Sequence, residues 1–127
     1  MRLDKEKLKN IDKLPADVRR ELALLMNKHD QKTKESKIKS DFLTFVKHVW
    51  PDFIEGRHHK EIADKFNKLA AGKIKRLIIN MPPRHTKSEF GSYLLPAWMV
   101  GNNPKLKIIQ STNTTELSVR FGRKAKA

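Results

Sequence analysis

The chain has no cysteine, which excludes a disulfide framework and a thiolate metal site. It also has no apolar run near the roughly 18 residues that a membrane span needs. Its opening, MRLDKEKLKN, is charged where a secretory signal would be apolar, so a cytoplasmic setting is expected. Internal repeats are absent too. Negative charge is scarce: 14 Asp and Glu stand against 28 Lys and Arg, a formal charge of +14. That imbalance favours a polyanionic partner, nucleic acid or nucleotide phosphate, although a solubilising surface has the same composition. At 127 residues the chain has room for one small core.

Within that bound, the first part reads as helix. Pro15 suits a first helical turn, and ADVRRELALLMNKHD puts Val18, Leu22 and Leu25 on one face. Residues 30–40 are nearly all charged or hydroxylated, a solvated linker or exposed helix. In SDFLTFVKHVWPDF, Ser40 is a candidate N-cap, Phe42, Phe45, Val46, Val49 and Trp50 form a stripe, and Pro51 stops the helix. HHKEIADKFNKLAAG carries Ile62, Phe66 and Leu69 at helical spacing and closes at Gly72, suited to a left-handed C-terminal cap.

The period then changes. IKRLIIN, residues 74–80, is short, apolar and β-branched, as in a central parallel strand covered on both faces. Phe90, Tyr93, Leu94, Ala97 and Trp98 return to helical spacing from Lys87 to about Val100, with Pro96 expected to kink or end the helix near Leu95. KLKIIQS, residues 105–111, reads as a second strand. A last helix begins at Asn113 or Thr114, with Leu117 and Phe121 inward and Arg120, Arg123, Lys124 and Lys126 outward. Strand, turn, helix, strand, helix is the order of a right-handed parallel crossover, so an α/β fold is expected.

Between the first strand and its helix lies NMPPRHTKSE. A strand that leaves through a compact loop into a helix at a Lys-Ser pair has the layout of a phosphate-binding P-loop: amides and helix N-terminus face the anion, the lysine reaches the terminal phosphates, and the hydroxyl holds Mg²⁺. The pattern G-x-x-x-x-G-K-[ST] would place its two glycines at Met81 and Thr86, and both are missing. A β-branched threonine would be strained if position 86 demands a positive φ. The plain alternative is that Lys87 and Ser88 merely begin a helix and Pro82-Pro83 merely stop a strand.

LIINMPPRHTKSEFGSYLLPAW, with NPKLKIIQST and ELSVRFGRK, resembles the start of the ATPase domain of the large terminase subunit of tailed bacteriophages, from about Phe42 onward. That family carries deviant loops with Pro-Pro-Arg-His ahead of Lys-Ser, so loss of the first glycine is ordinary there; threonine at 86 departs from the usual glycine. The resemblance implies a partial P-loop NTPase parallel sheet over residues 41–127, preceded by a charged helical segment or linker over 1–40. It implies ATP and Mg²⁺ as cofactors, bound along Pro83, Arg84, His85, Thr86, Lys87 and Ser88. Lys87 would contact the β- and γ-phosphates, Ser88 would ligate Mg²⁺, and Arg84 would stabilise charge developing in phosphoryl transfer. Glu89 reads as a first-turn acid rather than a catalytic base. FIEGRHHKEIADKF sits where related ATPases recognise adenine, so His58 or His59 could meet the base; a surface histidine pair is the plainer reading. Two adjacent histidines without acidic partners make a poor metal site. The implied partners are double-stranded DNA, a small terminase subunit and a portal ring, in the host cytoplasm.

An ATPase of this class also needs an acidic pair after a later apolar strand. No apolar run followed by Asp-Glu occurs, nor an aspartate set for a nuclease. The expectation is therefore a fragment of the motor that does not hydrolyse ATP alone. Another P-loop translocase and a small basic nucleic-acid-binding protein remain open at this point, the arginines of STNTTELSVRFGR serving either a phosphate backbone or a solvated face.

Overall fold

The computed structural model describes residues 15–126, which form helices and no strand. The part of the helical reading that falls on residues 1–14 lies outside them. In chain order the helices are α1 (Ala16–Ser40), α2 (Phe42–Val49), α3 (Arg57–Ala70), α4 (residues 87–102) and α5 (Thr115–Lys126). The chain divides into two compact units between Ser36 and Lys37.

α1 contains neither glycine nor proline and is rich in strong helix formers, which accounts for its 25 residues. None of its residues is buried, and Leu24 and Leu25 are exposed. Its last turn belongs to the second unit, where the carbonyls of Ile38 and Lys39 accept hydrogen bonds from Trp98 Nε1 at 3.0 Å and Asn102 Nδ2 at 2.8 Å.

The second unit is organised by Phe42, which is fully buried. Its ring meets Phe66 of α3 and Phe90 and Trp98 of α4 edge-on, at centroid distances of 5.1, 5.4 and 5.6 Å. Val46, Ala63, Leu94 and Leu95 complete this core. The expected stripes of α2, α3 and α4 supply most of these side chains, whereas Val49 points to solvent.

The capping residue of α2 is Asp41 rather than Ser40. Its Oδ2 accepts from the Thr44 amide at 2.8 Å and the Thr44 hydroxyl at 2.6 Å. Asn67 of α3 donates to Asp41 Oδ1 at 2.8 Å and accepts from the Phe42 amide at 2.9 Å, so one amide side chain ties α3 to the start of α2. Just beyond Asn67, at the C-terminal end of α3, Gly72 has φ 71°, and the bonds Gly72 N–H to Leu69 and Lys73 N–H to Lys68, each 2.9 Å, close a Schellman motif.

The expected parallel sheet is overturned: neither residues 74–80 nor residues 105–111 form a strand among the described residues. A strand exists through ladder bonds to other strands, and these two apolar runs are not brought together. Nor is the first covered on both faces. Leu77 and Ile79 pack against the core while Ile78 is 86% exposed, a one-sided alternation, and Ile109 is 97% exposed.

At Pro96 α4 does not end, one of the two outcomes expected there: the helix runs on to Asn102. Immediately before the proline, Phe90–Leu94 widens into a π-helix, with the Leu95 amide bonded to the Phe90 carbonyl. A proline at 96 cannot donate to the carbonyl of Ser92, four residues back. That carbonyl accepts instead from Gln110 Nε2 at 2.9 Å.

Candidate functional site

The bend between residues 74–80 and α4 carries the backbone features that the sequence left open. Arg84 has φ 66° and Thr86 has φ 57°, ψ 9°, so two non-glycine residues separated only by His85 are left-handed. For a β-branched residue this conformation is costly, about 1–2 kcal/mol. Thr86 is the N-cap of α4, yet its side chain makes no capping bond. The first-turn amides of α4 are thus left without the side-chain oxygen that usually satisfies them.

Pro82, Pro83, Arg84, Thr86, Lys87, Ser88 and Glu89 line a cleft of ≈ 210 Å³. The Lys87 ammonium arches back across the bend to the carbonyl of Met81, 3.4 Å away. Ser88, Arg84 and Pro83 are exposed. His85, also exposed, folds its Nδ1 onto the Pro83 carbonyl at 2.9 Å, a contact that requires the proton on Nδ1. Glu89, at the edge of the cleft, pairs with Lys124 of α5 at 3.3 Å. That pairing, and the 5.6 Å approach of Lys124 to the Tyr93 ring, place Lys124 against α4 rather than outward.

His59 enters from behind the bend. It is 6% exposed, and both ring nitrogens have partners: Nδ1 accepts from the Gly56 amide at 2.8 Å, and Nε2 lies 2.8 Å from the Thr86 hydroxyl. An amide donor at Nδ1 leaves the proton on Nε2, which therefore donates to Thr86. Thr86 passes its own hydroxyl proton to the His85 carbonyl at 2.6 Å. With neither nitrogen free, His59 reaches the cleft through Thr86 and offers no edge to a base. Burial, reinforced by the neighbouring His58 ring, pushes its pKa below the usual imidazole range, against an opposing pull from Glu55.

The His58 ring lies against His59, tilted by 47° at 3.8 Å between centroids, and meets His85 at 5.9 Å. Gly56 makes room for this pair, since a Cβ there would lie 3.0 Å from His58 Cε1. The three imidazoles are not a ligand set: among the described residues no group of three or more His, Asp or Glu converges on a metal position. Glu55 is held by Lys47 and, at 3.0 Å, by Lys60, which keeps its carboxyl below the ordinary range.

The sequence pointed to residues 83–88 as one stretch but missed the His59–Thr86 contact. The available signal was Gly56-x-x-His59 at a helix start, a capping-box spacing with imidazole in place of the usual carboxylate or amide.

No protein-family model, no curated protein and no solved structure matches the chain. No helix among the described residues is long and apolar enough to cross a membrane.

Proposed function

We propose that residues 81–88 cradle the phosphate tail of a nucleoside triphosphate, and that the chain is part of a terminase-type motor that uses ATP to drive double-stranded DNA into a capsid. One observation carries the first half. A tight bend with left-handed residues at 84 and 86 feeds an uncapped helix start, and the Lys87 ammonium is folded across it. Left-handed residues in a turn are what an anion-binding nest of main-chain amides needs, and a helix N-terminus adds its dipole. This reading rests on the local bend and not on a sheet. The PPRHTKSE residues and the charge of +14 support the second half.

In this reading the first-turn amides and Lys87 hold the β- and γ-phosphates, and Arg84, at the rim, balances charge on the transferred group. Ser88 would be the residue to hold a magnesium ion accompanying the phosphates, and the ion would supply charge neutralisation there. Glu89 pairs with Lys124 and is given no step in this reading. The small terminase subunit and portal ring belong to the same proposal.

Replacing Lys87 with Ala and titrating a fluorescent ATP analogue with Mg²⁺ tests it. A loss of tenfold or more is expected, on the order of one charge-assisted contact. Equal binding by both proteins refutes the cradle. DNA retention with a steep salt slope and no effect of nucleotide would favour a basic nucleic-acid-binding protein instead.

A further inference from the structure

Thr86 occupies a backbone conformation that glycine would adopt freely. Something must hold it there, and the contacts within the bend do not suffice: the Thr86 hydroxyl reaches only its neighbour's carbonyl on the loop side. The remaining contact comes from His59, on a different helix and 27 residues away in sequence.

His59 is itself rigidly set. It is the third residue of α3, its Nδ1 is fixed by the Gly56 amide, and its ring packs on Phe53 at 4.8 Å and Phe90 at 5.1 Å. Phe90 begins the π-helix of α4 and is buried in the core. The imidazole therefore links the core, the start of α3 and the hydroxyl of the strained residue. That hydroxyl makes no bond to the first-turn amides of α4.

We propose that His59 is a positioning residue of the phosphate loop: by bonding the Thr86 hydroxyl it holds residue 86 left-handed and keeps the helix start open to an anion. The proposal rests on the phosphate-cradle reading of residues 81–88. It assigns to a histidine and a threonine together what a glycine does alone in the general loop pattern. His59 touches no ligand in this scheme and acts through Thr86.

The test is a double-mutant cycle on the full chain, read by binding of a fluorescent ATP analogue with Mg²⁺ and, separately, of inorganic tripolyphosphate. The substitutions are His59→Ala, Thr86→Gly and the pair, with circular dichroism confirming folding and His59→Gln replacing His59→Ala if the latter unfolds. His59→Ala should weaken both probes about fivefold to tenfold, the scale of one buried hydrogen bond. Added to Thr86→Gly it should have less than half that effect on a logarithmic scale, because glycine needs no bolt. A His59 residue that merely supports the core would cost the same in both backgrounds, and that result overturns the proposal.

The contact has a readout that needs no nucleotide. In ¹⁵N-detected NMR, His59 should be the neutral Nε2–H tautomer, and Thr86→Val should shift its Nε2 resonance. If neither probe binds to the wild-type protein, the cradle reading fails. If the tautomer is Nδ1–H, or Thr86→Val leaves the ring unmoved, the bolt fails whatever binds.

Discussion

The side-chain amide of Gln110 donates to the carbonyl of Ser92 at 2.9 Å, supplying the partner that Pro96 cannot. Termination is one response to proline within a helix; here the helix continues, with a π turn ahead of the proline and a side chain from 18 positions on supplying the missing donor. Gln110→Leu should lower unfolding free energy by about 1–2 kcal/mol, the penalty of a part-buried carbonyl left alone. Restoring an amide with Pro96→Ala should shrink that loss, and urea denaturation of the four proteins measures the coupling. Purely additive effects would show that Gln110 does not compensate for the proline.

Phe42 is the centre of three edge-on aromatic contacts, and truncating it empties the core between α2, α3 and α4. Phe42→Ala should cost about 3–5 kcal/mol. Phe42→Leu, which keeps much of the volume, should cost less. Chemical denaturation ranks the two, and near-equal stabilities would contradict the packing described.

Asp41 is pulled in two directions: burial pushes its carboxyl up, while bonds from Thr44, Asn67 and the Thr44 and Leu43 amides pull it down further, so it lies below its ordinary value. A depressed folded-state pKa means that the stabilisation is complete above 3.8, the unfolded value, and is lost as pH falls through the lower folded one. Asp41→Ala should cost about 1–2 kcal/mol at neutral pH, typical of a lost N-cap. Part of the wild-type advantage should vanish in acid, as thermal melts between pH 7 and about pH 2.5 would record. An unchanged difference across that range would count against an ionised cap.

His59 gives a second pH signature in a separate window. Its folded pKa lies below 6.5, so the unfolded chain takes up the proton first as pH falls. Stability should therefore be full above 6.5 and decline as pH drops from there toward the lower folded value. His59→Gln, which cannot titrate, should flatten this portion of a plot of melting temperature against pH. A wild-type curve with no slope in that window would mean that the imidazole is not held neutral.

The helices of the second unit were legible because their signals are local. The stripes at Phe42 and Val46, at Phe66, and at Phe90, Leu94 and Trp98 follow helical period, and all face one core. The Schellman glycine at 72 and the Lys-Ser start of α4 are likewise short-range features. IKRLIIN and KLKIIQS failed as strands because β-branched, apolar composition marks a propensity to extend, whereas a sheet requires partners from elsewhere in the chain. The continuation of α4 through Pro96 was hidden for a related reason: the residue that satisfies Ser92 lies 18 positions away.

The loop divides along the same line. Residue order alone established the stretch 82–88, its cations and its place at a helix start, since each depends on neighbours in the chain. The bond from His59 to the hydroxyl of left-handed Thr86 was settled only when the start of α3 met α4 through His59 and Phe90. Backbone strain persists only where distant contacts offset it, and no window of adjacent residues contains those contacts.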